Sequence, residues 1–421
     1  MRRARGAIAF FIFFISSLPL CSRADEAISW QECVKEAAKN HPDLIAAEES
    51  IKQSEAVKKI TASALYPQIT ADISASTVKN SGGVSSDTYS YGISGSQLVF
   101  DGIKTIDKLK AAGEDIKAAK QSFRFTSSEI RLRLRTAFIN LLNAQELVNI
   151  TQQICDIRRG NLELVALRYA SGLEHRGALL TAEADLANAE YQLAQAKRRL
   201  VTSQRKLIKE MGRKEFAPIT VKGDFQVKED TLKEQDFEAI ANRHPSLHQI
   251  IAQQNSAAFS LKAAYANFLP VLSGSAGVNK TGKHWNSADE QWNAGLTLSL
   301  PIFEGGLRAA QISQAEALLN QLKAKERSAR DVIILNLQQT YANLQDALEN
   351  VRVQYKVLVA SEERSKIAQA QYSIGLLSYD NWTIIEDNLV SAKISYLNAQ
   401  TGALLAEANW IQAKGETLEY D

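Results

Sequence analysis

The chain has 421 residues, of which 45% are hydrophobic and only 7% aromatic, and this composition favours long helices over β-sandwiches. The formal net charge of +2 comes without a basic block, which argues against nucleic acid as a partner. The three cysteines have no CxxC spacing, so the sequence predicts neither a disulfide framework nor a zinc motif.

The first 24 residues predict a secretory signal peptide. Arginines at positions 2, 3 and 5 precede an apolar run from Ala7 to about Leu20, which is too short to span a bilayer comfortably. Small residues at Ser22 and Ala24 place the cleavage after Ala24, and removal of the segment leaves a net charge of −2. Cys21 offers the alternative of lipid attachment, although the bulky Leu20 stands where such sites have a small residue. No later apolar run is long enough for a membrane helix, which leaves the periplasm, the outside or an outer-membrane barrel.

The chain is predicted to be a tandem duplication, because its landmarks return at a constant offset of 203 residues. These landmarks are His41-Pro42 and His244-Pro245, Tyr66-Pro67 and Leu269-Pro270, Phe100-Asp101-Gly102 and Phe303-Glu304-Gly305, and Tyr169-x-x-Gly172 and Tyr372-x-x-Gly375. The period is far longer than that of solenoid repeats, which indicates one duplicated supersecondary unit. We therefore predict a first repeat over 25–212, a linker over 213–235 and a second repeat over 236–421.

Each repeat is predicted to contain a helix, two strands and a long helical hairpin. The helix begins after the His-Pro pair and ends before the next Pro. Strands are predicted over about 68–78, 89–100, 271–280 and 291–303, where apolar and polar side chains alternate. Their length of about ten residues matches a tilted membrane-crossing strand. Seven-residue rows of Leu and Ala predict coiled-coil packing, and the helix that starts near Ile103 would be ~100 Å long.

Four amphipathic strands can be interpreted in two ways. A soluble sheet covered by helices would belong to a periplasmic coiled-coil scaffold that is not inserted in a membrane. A barrel with an apolar outside, a polar lumen and aromatic belts also accounts for the sheet edges and for the serine-rich face. Because bacterial barrels start at about eight strands, several copies would have to pool their strands.

The two His-Pro helix starts, the paired strands, the FDG and FEG junctions, both Y-x-x-G turns and the Ala-rich return helices together resemble the TolC-like outer membrane efflux proteins. The resemblance implies a mainly α fold with a small β part, in which coiled-coil hairpins form a periplasmic α-barrel. Four strands per chain would contribute to a trimeric 12-stranded transmembrane β-barrel in the outer membrane of a Gram-negative bacterium. It implies no enzyme and no cofactor.

The resemblance also implies a function and partners. The chain would be a passive exit duct of a tripartite efflux or type I secretion system. It would work as a homotrimer with a periplasmic adaptor and an inner-membrane transporter. Such a duct would carry substrates from the pump to the exterior and would be surrounded by outer-membrane lipid.

Candidate functional residues follow from the same resemblance and lie at the turns. The adaptor-docking turns would be Tyr169 with Gly172 and Tyr372 with Gly375, and the barrel-tunnel junctions would be Phe100, Asp101 and Gly102 and, in the second repeat, Phe303, Glu304 and Gly305. The periplasmic tip or gate would be at Asp380, Asn381 and Ile384, although Asn381 and Ile384 occupy places where the family often has acids. No catalytic constellation is found, and His244 with His248 lacks the third ligand of a metal site.

Overall fold

The computed structural model describes residues 27–79, 81–83, 85–226, 235–286 and 289–418. Its helices are α1 Trp30–Asn40, α2 Pro42–Ser63, α3 Lys104–Ala170, α4 Arg176–Glu210, α5 Phe237–Ala241, α6 Pro245–Tyr265, α7 Leu307–Ser373 and α8 Tyr379–Ala413. Its strands are β1 Gln68–Lys79, β2 Ser85–Phe100, β3 Val271–Gly282 and β4 Asp289–Ser299. The mainly α fold with four strands is confirmed. The predicted signal peptide, its cleavage site after Ala24 and Cys21 lie outside the described residues.

The elements of the second repeat follow those of the first at the same offset. Helices α3 and α7 each have 67 residues, and α4 and α8 each have 35. Their first residues are 203 positions apart in both cases. At 1.5 Å per residue, α3 and α7 are each ~100 Å long. Within the described part of the chain, none of these helices is long and apolar enough to cross a membrane.

The helices form a single wall of four columns. Helix α3 packs against α2 and α4 on one side and against α6 and α8 on the other, and α7 packs against α6 and α8. The column order is therefore α2 with α4, then α3, then α6 with α8, then α7. Leu337 and Leu344 of α7 are fully buried in the seam with α8, as the heptad pattern predicts.

Local signals explain where the helices begin. The Nδ1 atoms of His41 and His244 accept hydrogen bonds from the backbone N–H groups of Asp43 and Ser246, so each His caps the helix that the following Pro starts. Helix α1 is missing from the sequence-based prediction. It begins with a capping box in which Ser29 and Glu32 satisfy each other's backbone donors.

All four strands form one antiparallel sheet in the order β1-β2-β3-β4, so the pairing of β2 with β3 joins the two repeats. The predicted end of the last strand at residue 303 is wrong, because β4 ends at Ser299. Pro301 has no backbone N–H to donate to the ladder, and Ile302 and Phe303 therefore leave the sheet. A bulge between Leu98 and Phe100 also interrupts the strict alternation predicted for β2.

Part of the predicted linker, residues 213–235, packs against the helices. Val221 forms a parallel bridge with Ile28, and both polar atoms of its backbone bond the side-chain amide of Gln145 in α3. Ile219 and Val221 join the core formed by α1, α3 and the end of α4. Residues 27–40 and 216–225 thus lie together on one side of the helical wall, and we call them the outer layer.

His244 makes folding stability sensitive to pH. Burial lowers the pKa of this imidazole to about 4, and the nearby charge of His248 adds to the effect. A depressed folded-state pKa means that the stabilisation is complete above the unfolded value of ~6.5 and is lost as the pH falls toward 4. Between pH 7.5 and pH 5 the loss amounts to about 2 kcal/mol.

We predict that His244→Asn, which retains a capping side chain, has a smaller fall in melting temperature than wild type between pH 7.5 and pH 5. Thermal unfolding followed by circular dichroism in detergent measures the two differences. Equal falls in both proteins would contradict the assignment.

Candidate functional site

The sheet has one apolar and one polar face. Directly paired residues of antiparallel strands share a face, so the register defines both. One face carries the cross-strand rows Ala71, Ile93, Val278 and Trp292; Ile69, Gly95, Ala276 and Ala294; and Leu272 with Leu298. The other face carries Thr70, Ser94, Gly277 and Asn293, and Ser74, Ser90, Thr281 and Asp289. The predicted alternation thus extends across all four strands.

Neither face of the sheet is buried in a core. On the apolar face, the exposed fraction is 73% for Leu296, 77% for Ile73 and 79% for Trp292. Among the described residues, the strands pack extensively only against one another. A soluble sheet covered by helices, the alternative interpretation, does not describe this protein. Large side chains exposed together need another apolar environment.

The apolar band runs through several successive cross-strand pairs of the sheet. From Leu272 to Val278 it is about 20 Å long, measured along the strand at the rise of an antiparallel strand. The apolar band of outer-membrane barrels is roughly 25 Å tall and is crossed by tilted strands. Beyond the band of this sheet, Lys280 and Glu290 form an ion pair of 3.1 Å. The ring of Trp285 lies 4.9 Å from that of Tyr89 at this same end. Aromatic rings are exposed at the opposite end too, at positions 66, 100, 268 and 303.

At the first junction, between β2 and α3, the chain bends through two consecutive left-handed residues. Gly102 has φ 70° and Ile103 has φ 71°, which is rare for a β-branched side chain. A Cβ at Gly102 would lie 2.7 Å from the side chain of Leu269, so this position excludes larger residues sterically as well. Asp101 accepts a hydrogen bond of 2.8 Å from the backbone N–H of Thr105 and thereby caps α3.

The second junction repeats the bend with different contacts. Gly305 has φ 58° and Gly306 has φ 83°, so glycine stands where the first repeat has Ile103. Glu304 forms an ion pair of 3.0 Å with Arg308, which also donates to the carbonyl of Pro301. Phe303 is exposed. The backbone bend is therefore shared, whereas the capping chemistry is not.

The two turns at the far end of the hairpins end their helices in the same way. Gly172 has φ 71° and Gly375 has φ 81°. In each turn the next residue donates its N–H back to the helix, from Leu173 to the carbonyl of Arg168 at 2.8 Å and from Leu376 to that of Gln371 at 2.9 Å. This left-handed cap is a recurrent way to end a helix.

The tyrosines of the two turns have different surroundings. Tyr169 is exposed, but Tyr372 is fully buried and stacks on Trp382 with ring centroids 4.3 Å apart. The guanidinium of Arg168 lies 4.8 Å from the centroid of the Tyr372 ring, and the Tyr372 hydroxyl donates a hydrogen bond of 3.1 Å to Glu174. Burial raises the pKa of Tyr372, and the charge of Glu174 raises it further. The first hairpin thus holds the second at the tip.

A second contact between the hairpins lies higher along the helices. Arg158 of α3 is buried and pairs with Asp387 of α8, and its guanidinium lies 3.9 Å from Asp185 of α4. The sequence did not reveal this cluster or the contacts that Arg168 and Glu174 make with Tyr372. The sequence carries one signal of these contacts, which is that the charged residues have no charged counterparts in the second repeat. The positions 203 residues after Arg158 and Asp185 hold Ser361 and Asn388.

The predicted gate residues lie in the first turns of α8. Asp380, Asn381 and Ile384 are all exposed, and Asp380 has no ion pair within the described ranges. Asp380 precedes Asp387 by one heptad, so the two acids lie on the same side of α8. His244 and His248, the histidine pair that lacks a third metal ligand, are one helical turn apart, and Nδ1 of His244 already serves as the cap of α6.

Comparisons with known proteins agree with this architecture. The family described as outer membrane efflux protein matches residues 33–213 and 238–416. The outer membrane protein TolC of Escherichia coli is 23% identical over 82% of this chain and 72% of its own length. The outer membrane efflux protein BepC of Brucella suis is 20% identical over 91% of this chain and 81% of its own.

Solved structures of outer-membrane proteins have a similar fold. The outer-membrane channel OprN superposes with a TM-score of 0.81 at 17% identity, covering 92% of this chain and 90% of its own. The outer membrane protein VceC of Vibrio cholerae superposes with a TM-score of 0.77 at 19% identity, covering 92% and 96%. The family match covers both repeats nearly completely. This chain belongs to the outer membrane efflux protein family.

Proposed function

We propose that the protein is the outer-membrane exit duct of a tripartite efflux or type I secretion system. The observation that carries the proposal is the exposed apolar face of a sheet whose opposite face is polar. Such a sheet separates lipid from water when it closes into a barrel. The ~100 Å helices then extend the water-filled path into the periplasm. The duct itself is passive and performs no chemistry.

The assembly proposed for this duct is a homotrimer. One chain supplies only four strands and leaves the outer edges of β1 and β4 unpaired. Three chains supply twelve strands and twelve helical columns, as the resemblance to the family implies. The helical wall offers a matching apolar contact, because Val332, Leu335 and Val353 of α7 are exposed on the side away from the buried Leu337. They would pack against α2 and α4 of the next copy, where Ile60, Leu180 and Val201 are exposed.

Partners are proposed for the two ends of the helical tube. The turns with Tyr169, Gly172, Tyr372 and Gly375 form its periplasmic tip and would dock a periplasmic adaptor, which connects the duct to an inner-membrane transporter. Leu173, Ile374 and Leu376 are exposed beside these turns, which supports a protein partner. The junctions around Gly102 and Gly305 would be where the barrel becomes the tunnel.

We predict a conducting trimer. Purified protein should have the mass of three chains by light scattering in detergent and should give stable single-channel currents in a planar bilayer. The double variant Leu335→Glu with Val353→Glu should dissociate it, because the charges would be buried between copies. Gln345→Glu, an exposed change elsewhere on α7, is the control. A monodisperse wild-type monomer without conductance would refute the assembly.

Substitution by Arg should distinguish the two faces of the sheet. Leu296 lies near the middle of the apolar band, so Leu296→Arg should block insertion, since an Arg facing lipid at mid-membrane costs about 2–4 kcal/mol. Leu298→Arg, at the end of the band beside Leu272, should impair insertion less. Ser273→Arg and Thr297→Arg should be tolerated, because a luminal Arg stays hydrated. Leu296 and Thr297 are neighbours on one strand and share the same depth, which makes them a matched pair.

Insertion is measured by the heat-modifiable migration of the folded trimer and by the share of protein in the detergent-soluble outer-membrane fraction. Loss of insertion should be confined to the variants of the apolar face. Equal tolerance on both faces would show the assignment of lipid and lumen to be wrong.

The tunnel mouth is proposed to be lined by three copies of Asp380. A ring of like charges concentrates cations in a narrow pore. Alternatively, Asp380 only stabilises the N-terminus of α8, where acids are favoured. Asp380→Asn should reduce the cation selectivity of the channel, and multivalent cations should block its current less strongly. The fold should be retained. If selectivity matches wild type and only the melting temperature falls, Asp380 is a cap and not a gate.

A further inference from the structure

A groove of about 650 Å³ runs between α7 and α8, and its lining is dominated by side-chain amides. The amides that matter here are Asn336, Asn343 and Asn350 of α7 and Asn398, Asn409 and Gln412 of α8. No charged residue is among the residues that line it. This is unusual in a chain of which 23% is charged, and it calls for a reason.

The amides lie beside the packing seam and not in it. Asn336, Asn343 and Asn350 recur every seven residues, so they form one row along α7. The adjoining row with Leu337 and Leu344 is fully buried and supplies the contact with α8. Asn336 and Asn343 are therefore not needed to hold the hairpin together.

These side chains have free hydrogen-bonding capacity. A carboxamide offers two donors and two acceptor lone pairs. In the described part of the chain, the only hydrogen bond between two groove side chains is a long one of 3.4 Å, from Gln354 to Asn350. Asn343 and Asn398 are exposed. The groove can therefore bond a solute without breaking bonds inside the protein.

The groove opens on the side of the wall opposite to the outer layer. Trp30 of the outer layer packs on Phe138, and Arg135 of α3 lies over Trp30 and 3.8 Å from Glu407 of α8. Glu407 therefore faces the outer layer. Residues advance by about 100° around a helix, so Asn409, two residues later, points about 200° away from Glu407.

When three copies of the wall close into a tube, the side that carries the groove faces the bore. Three outer layers, each made of a helix and an extended segment, would obstruct the bore if they faced inward, so they belong on the outer surface. We infer that the amide-lined groove is a luminal binding surface for uncharged solutes rich in hydroxyl and amide groups. The inference rests on the proposed duct and adds the class of solute that this stretch of its wall accommodates.

The chemistry of the groove suits transit. Neutral amides exchange hydrogen bonds with a solute in place of water, so each contact contributes only about 1 kcal/mol net. Several weak sites in succession let a solute enter and leave. Charge is offered elsewhere on the same side, where Arg198 and Arg199 line a separate groove with Thr151. The amide surface is thus the neutral sector of the bore.

The first test places the groove relative to the bore. Asn343→Asp changes an amide to an acid of the same shape inside the groove, and Gln345→Glu makes the equivalent change two residues away. In bilayers with a salt gradient, Asn343→Asp should shift the reversal potential toward cation selectivity, and Gln345→Glu should leave it at the wild-type value. Equal potentials in all three proteins would overturn the inference while leaving the duct intact.

The second test concerns the solute class and uses maltoheptaose, an uncharged polyhydroxyl probe. It should block the wild-type channel transiently. The variants Asn343→Leu and Asn398→Leu should each shorten the blocks by about fivefold, the equivalent of one neutral hydrogen bond, whereas block by a charged probe, spermine, should be unchanged. Equal shortening for both probes, or no block in wild type, would overturn the assignment of solute. A wild-type protein without currents would instead refute the proposed duct.

Discussion

The rest of the structure depends on one constraint, which is that backbone hydrogen bonds must be satisfied where water is absent. The four-stranded sheet exposes apolar side chains on one face and leaves the outer edges of β1 and β4 unpaired. In lipid, each unpaired backbone group costs several kcal/mol. A sheet of this kind is therefore stable there only when copies of the chain complete the barrel. The helical wall needs neighbouring copies for a different reason, because the apolar row of α7 that faces away from Leu337 is otherwise exposed to water.

The tandem duplication supplies two nearly equivalent units per chain, and it preserves backbone geometry better than side-chain chemistry. Both junctions bend through two left-handed residues, yet one uses Gly102 and Ile103 and the other uses Gly305 and Gly306. A non-glycine residue in the left-handed backbone conformation costs of order 1–3 kcal/mol of conformational energy. Ile103 adopts this conformation, and the chain follows the same path as at Gly306. The turn glycines are likewise equivalent. The bend is thus the conserved property of the duplicated unit.

Several departures from the repeat lie where the two hairpins meet. Arg158, Arg168 and Glu174 of the first repeat bond partners in the second, and the positions 203 residues later carry no charge. The buried Tyr372 joins this set, whereas Tyr169 is exposed. Asymmetric contacts of this kind hold the two hairpins in one relative position at the tip. The amide groove on α7 and α8 is a further asymmetry, because it gives one sector of the proposed bore a neutral lining.

The sequence alone determined the family, the 203-residue duplication, the long helices, the alternation of the strands and the glycine turns, because each depends on local periodicity or on one residue's backbone preference. Its errors were local as well. The capping box before α1 was overlooked, and the effect of Pro301 on β4 was underestimated. Only the tertiary structure decided that β2 pairs with β3 and that residues 216–225 form an outer layer. It alone brought Arg158 to Asp387 and the amides of α7 and α8 to one groove, because these contacts join residues far apart in the chain and no local pattern encodes such distances.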